Sequence, residues 1–195
     1  MESDMKSSLA SLVLAAAVLW SAPASAVPNK VFPMASSSAI CLPNAKGRVT
    51  VVLRDGFESL HLEAWNLPPK KTFTFFVIQV PKAPFGMAWY QGDVTTDDKG
   101  VAIGDFAGRF SEETFIVAQG AASAPKLHAG DGNQNPVSPP IHMFHLGMWF
   151  DSAADAPGAG CPGTVTPFND DHTAGVQVLN TGTFPNNNGP LRALK

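Results

Sequence analysis

The chain has 195 residues, a formal net charge of −3 and only 15% charged residues, with 17 glycines and 17 prolines. That length gives one ordinary domain, large enough to bury a core without help from metal. The charge balance supplies no basic face and so argues against a nucleic-acid partner, while the Gly and Pro content argues against a helical bundle and for a β-rich chain with tight connections.

Residues 1–26 read as an export signal. Lys6 supplies a positive flank, although Glu2 and Asp4 are unusual there. Leu9 to Trp20 is an apolar run, and Ala24-Ser25-Ala26 is a small-x-small cleavage site, so the mature chain is expected to begin at Val27. The apolar run is too short to span a bilayer and no later stretch approaches spanning length. A secreted or periplasmic protein follows as the expectation, with no transmembrane segment in the mature chain. Cys41 and Cys161 are the only cysteines, and an oxidising compartment predicts that they pair as a disulfide. The competing readings are two buried thiols or a pair of metal ligands.

In chain order, residues 27–38 read as an extended lead-in broken by prolines and a serine run. A single domain is expected over 39–182. Arg48 to Arg54 alternates, with Val49, Val51 and Leu53 on one face. Ser59 to Asn66 alternates again, with Leu60, Leu62 and Ala64 inward and His61, Glu63 and Trp65 outward; both have the period of half-buried strands. Pro68-Pro69 ends the second. Thr72 to Val80 is apolar on both faces and predicts a central strand. Gly86 to Val94 is an aromatic strand, 95–100 a polar hairpin connection, and Val101 to Phe110 the next strand, with Gly104 and Gly108 marking bulges or close packing. Thr114 to Gln119 is a further short strand. Gly120 to Pro140 has no sustained period, and a connection of that length is functional or mobile. Ile141 to Phe150 and Gly175 to Asn180 read as the last strands, with a short helical turn over Asp151 to Ala156 and a loose tail over 183–195. About eight short strands separated by turn signals fit an antiparallel sandwich or barrel, and an antiparallel β-sandwich is the expectation.

A strand ending in Leu67-Pro68-Pro69, the aromatic strand from Thr72 to Ile78, and the T-D-x-x-G hairpin at Thr96 to Gly100 together resemble immunoglobulin-like or fibronectin-III-like modules of exported bacterial proteins without assigned activity. The resemblance covers about residues 47–118. It implies an all-β sandwich and no particular function, because such folds host many.

Three candidate sites emerge. His142 and His145 with Met143 and Met148 suggest a soft-metal site, joined by His128 or His172, with copper as the ion. Residues three apart on a strand point to opposite faces, so a bulge would be needed for His142 and His145 to share an ion. Asp93, Asp97, Asp98 and Asp105 cluster around one hairpin and suggest calcium, although turn chemistry alone explains Asp97, Asp98 and Gly100. Trp65, Trp89, Tyr90 and Trp149 suggest a face for sugar rings or a protein partner. Their competing role is to fill the core, favoured for Trp89 and Trp149. Ser123, Ser138, Glu112, Glu113 and Asp170-Asp171-His172 offer the ingredients of a hydrolase without a nucleophile elbow, so no catalytic residue is assigned. The reading that results is an exported, non-enzymatic binding or cell-envelope interaction module without a cofactor. A copper-type metal protein is the alternative and a secreted hydrolase the third.

Overall fold

The computed structural model describes residues 29–110, 114–116, 140–168 and 172–194. The expected leader, His128 and nearly all of the 120–140 connection lie outside them, as do Glu112, Glu113, Ser123, Ser138, Asp170 and Asp171. Among the described residues ten strands form: β1 (Asn29–Ser36), β2 (Lys46–Leu53), β3 (Glu58–Trp65), β4 (Thr72–Ile78), β5 (Ala88–Thr95), β6 (Ala102–Gly108), β7 (Thr114–Ile116), β8 (Pro140–His142), β9 (His145–Phe150) and β10 (Gln177–Asn180). Eight of them make one antiparallel sheet in the order β5-β4-β9-β10-β1-β2-β3-β6, and β7 pairs with β8 separately.

The two ends of that order, β5 and β6, return alongside each other without a ladder, so the sheet curls nearly closed into a barrel. Glycines allow the approach. A Cβ on Gly104 would stand 2.5 Å from Val94 Cγ1, and one on Gly92 would stand 3.0 Å from the Phe106 ring. Phe106 lies over both and stacks on Phe75 at 5.1 Å. The all-β, antiparallel expectation is met. The hydrogen bonding joins the eight strands in one curled sheet, whereas a sandwich is defined by two facing sheets.

The predicted alternation sets the core. Val49, Val51, Leu60, Leu62 and Ala64 are fully buried, facing Phe73, Phe75, Val77 and Met148 across the interior. A second, smaller cluster of Phe76, Ile78, Trp149 and Ala174, backed by Phe85 and Phe168, covers the outer face of β4 and β9. These two strands are therefore apolar on both faces, as the unbroken run in Thr72 to Val80 predicted. The outer face of β1, β2, β3 and β6 carries the exposed or half-buried residues Val31, Arg48, His61, Glu63 and Asp105.

Three segments differ from expectation. The lead-in is strand β1, lodged between β10 and β2. Its Pro33 is tolerated because the β10 ladder reaches only Ala35 and Ser36, leaving no bond on that flank for the missing N–H to break. The tail is anchored: a 3-10 turn at Pro190–Leu194 buries Leu191 and Leu194 against the core. The last long strand is two, β8 and β9, interrupted at Met143 and Phe144.

The T-D-x-x-G hairpin is built from its own side chain. Asp97 Oδ1 accepts the Lys99 and Val101 N–H groups at 2.8 and 2.9 Å, which hold its carboxyl below the usual range, Val101 contributing most. Gly100 has φ +74°, and any Cβ there would fall 2.0 Å from the Leu67 carbonyl oxygen, so only glycine fits. Cys41 and Cys161 are bonded, with Cα atoms 4.7 Å apart. The bridge ties the β1–β2 connection to the segment after the 3-10 turn Pro157–Ala159.

Candidate ligand-binding end

The end of the sheet where β4 finishes and β5 and β9 begin carries the most concentrated recognition chemistry. The β4–β5 loop is closed by Gln79 N–H to Met87 O at 2.8 Å and Val80 N–H to Phe85 O at 3.0 Å. The Gln79 side-chain oxygen accepts the Met87 N–H at 3.1 Å. Gly86, at φ +68°, leaves the space that Gln79 occupies, since a Cβ there would stand 2.2 Å from its Oε1. A concavity lies on each side of this loop.

On one side, Phe76, Met87, Tyr90, Pro167 and Phe168 line a hollow of about 400 Å³. Tyr90 stands opposite Phe76 in the β4–β5 ladder, with ring centroids 5.7 Å apart. Tyr90 is 46% exposed, whereas Trp89, its neighbour on β5, pairs with Val77 and so faces the other side of the sheet. An aromatic wall of this kind takes the apolar face of a flat or ring-shaped ligand.

On the other side, Gln79, His142, Phe144, Asn186, Asn187 and Arg192 line a polar cavity of about 620 Å³. The rings of His142 and Phe144 stack at 5.2 Å, nearly parallel. The asparagine wall is held from beneath by His145, which is fully buried. His145 Nε2 lies 3.2 Å from the carbonyls of both Pro185 and Asn186, and Nδ1 lies 3.0 Å from the Thr181 hydroxyl. Leu146 N–H donates to the same hydroxyl. This pattern assigns the proton to Nε2, donating to the two carbonyls, with Nδ1 accepting from Thr181.

Burial depresses the His145 pKa, outweighing the backbone carbonyls that favour the cation. The sign of the consequence follows from proton counts. Below about pH 6.5 the unfolded chain takes up a proton that the native ring refuses, so stability falls with pH, by at most about 1.4 kcal/mol per unit, until the native ring titrates. Urea denaturation at pH 7 and pH 5 should show this loss in the wild type and a shallower one in His145→Gln. Identical pH dependence in the two would show that His145 is not its source.

The predicted site residues are distributed unevenly. His142 and His145 sit on separate strands, one lining the polar cavity and the other committed on both ring nitrogens. Met143 and Met148 are buried in the core. His172 is at φ +60° with Nδ1 3.3 Å from the Pro167 carbonyl. Among the described residues no three His, Cys, Asp or Glu side chains gather in a metal-binding group. Of the aspartates, Asp97 caps its own turn, Asp98 pairs with Lys70 at 2.9 Å and Asp105 pairs with His61 at 2.7 Å. Trp149 is fully buried, as its core role predicted. Trp89 departs from that role and is half exposed. Trp65 is half-buried at the rim of a third, apolar concavity of about 640 Å³ along β1 and β2.

Sequence reasoning missed Gln79, Phe144, Asn186, Asn187 and Arg192. The asparagine run looked like tail composition, and its role depends on His145, about forty residues earlier. It also missed the row Thr50, His61 and Asp105, which β2, β3 and β6 place side by side. This row lies on the exposed face and lines none of the three concavities.

Comparison with protein-family models finds no match. Comparison with curated protein sequences finds no significantly similar protein.

Proposed function

We propose that this protein is an exported, non-enzymatic binding module that recognises a saccharide at the β4–β5 loop end. The observation that carries the reading is the pairing of an aromatic wall, half-exposed Tyr90 with Phe76 and Phe168, with an amide-rich cavity across one short loop. Sugar rings present both an apolar face and a fringe of hydroxyls, which aromatic rings and amides respectively satisfy. The Cys41–Cys161 bridge supports an oxidising compartment and so the signal reading of residues 1–26. The turn chemistry of residues 47–118 supports a kinship with immunoglobulin-like modules, on which a ligand would be met by loops at the end of a rigid sheet.

The test is binding of purified residues 27–195 to a panel of immobilised neutral and acidic oligosaccharides. Saturable binding is expected, without release of cleaved product. Tyr90→Ala should weaken it about tenfold, the loss typical of an aromatic anchor. Failure to bind any panel member, or turnover of a bound one, would remove this reading. Stoichiometric copper or calcium in the purified protein would favour the metal alternative.

A further inference from the structure

The polar cavity carries one inference beyond this, and it rests on the saccharide reading. We propose that it is a subsite for the carboxylate of an acidic sugar, a ring of the uronate class.

Arg192 supplies the charge. Its Nη1 donates to the Asn187 carbonyl at 3.0 Å. Among the described residues it enters none of the ion pairs, and no carboxylate lines the cavity. A guanidinium has five N–H donors in a fixed planar fork, so one anchored bond orients the group and leaves the others for a ligand. A carboxylate matches that fork with two parallel charge-assisted bonds.

The rest of the wall selects a ring of hydroxyls around that carboxylate. Asn186, Asn187 and Gln79 provide side-chain amides, each able to donate and accept. Gln79 spends its oxygen on the Met87 N–H, leaving its NH2 end as donor. Phe144, with His142 stacked on it, gives one flat wall for a ring face. A volume of about 620 Å³ is at the scale of small-molecule pockets. Among the described residues Arg192 is the one lysine or arginine that lines the cavity, which matches a monoanion.

The site is preorganised from below. His145 fixes the carbonyls of Pro185 and Asn186. The 3-10 turn bearing Arg192 is held by Leu191 N–H to Phe144 O at 3.2 Å and Arg192 N–H to Gly189 O at 3.1 Å, with Leu191 and Leu194 buried beneath it. The backbone that carries Arg192 and Asn186 is thus set before a ligand arrives, which lowers the ordering cost of binding.

The experiment is calorimetric titration of residues 27–195 and of Arg192→Gln with galacturonate, galactose, acetate and inorganic phosphate. Arg192 is exposed, so the variant should keep its melting temperature. Galacturonate should bind about tenfold or more tighter than galactose or acetate, and Arg192→Gln should lose about tenfold for galacturonate alone. Galacturonate binding that survives Arg192→Gln overturns the proposal. So does acetate or phosphate binding as tight as galacturonate, which would make the cavity a simple anion hole. Binding of galactose with no preference for the acid removes this subsite and leaves the saccharide reading in place; binding of no sugar on any panel removes both.

Discussion

Replacing both cysteines, Cys41→Ser with Cys161→Ser, should lower the free energy of unfolding by about 5 kcal/mol by the chain-entropy model, and by 2–5 kcal/mol on the record of native disulfides. The bridge closes a loop with a sequence separation of 120 residues. Open, that loop adds conformational freedom to the unfolded chain and nothing to the native one. The loss is large beside the 5–15 kcal/mol by which domains of this kind are stable. Both cysteines are buried in the main core cluster, so serine adds a further penalty for an unpaired hydroxyl. Urea denaturation of the oxidised wild type and the double variant checks this. A midpoint shift smaller than that of an ordinary surface substitution would mean that the unfolded chain is already compact around this contact.

Trp149→Ala should cost about 3–5 kcal/mol, the range for deleting a large buried aromatic side chain. The ring is the hub of the outer cluster. Its centroid stands 5.4 Å from Phe76, 5.1 Å from Phe85 and 5.0 Å from Phe168. Gly147 makes room for it, since a Cβ there would stand 2.4 Å from Trp149 Cζ3. Removing the ring strands Phe85 and Phe168, and with them the wall of the aromatic hollow, so saccharide binding should weaken alongside stability. Thr74, directly opposite in the β4–β9 ladder, supplies a contrast. Its buried hydroxyl has no hydrogen-bond partner among the described residues, so Thr74→Val, of the same shape, should cost nothing or stabilise slightly. A Trp149→Ala loss under 1 kcal/mol, or a Thr74→Val loss above about 2 kcal/mol, would contradict this account of the outer cluster.

The strands were legible where burial has a period. β2 and β3 show a clean two-residue alternation because one face meets the core and the other solvent. β4 shows an unbroken apolar run because Trp149 and Phe168 cover its outer side. β1 was illegible for the opposite reason: Pro33 and the serines disguise a strand whose partners come from opposite ends of the chain, Lys46–Val52 and Leu179–Asn180. The binding end was legible only in part. Tyr90 announces itself, beside Trp89, as one of a pair of adjacent aromatics on an otherwise polar strand. Arg192 and Asn187 do not, since neither belongs to a local motif.

Residue order alone was enough to specify an all-β chain, the inward face of each alternating strand and the Asp97–Gly100 turn, and it left Cys41 and Cys161 one possible disulfide, which the structure forms. Each of these depends on a residue and its immediate neighbours, or on a pairing with no competitor. Which strands lie side by side, that β5 and β6 come round to meet, and that His145 braces the asparagine wall were settled by contacts between residues far apart in sequence. Such contacts depend on register and on the curl of the sheet, and a local hydrophobic period carries no information about either.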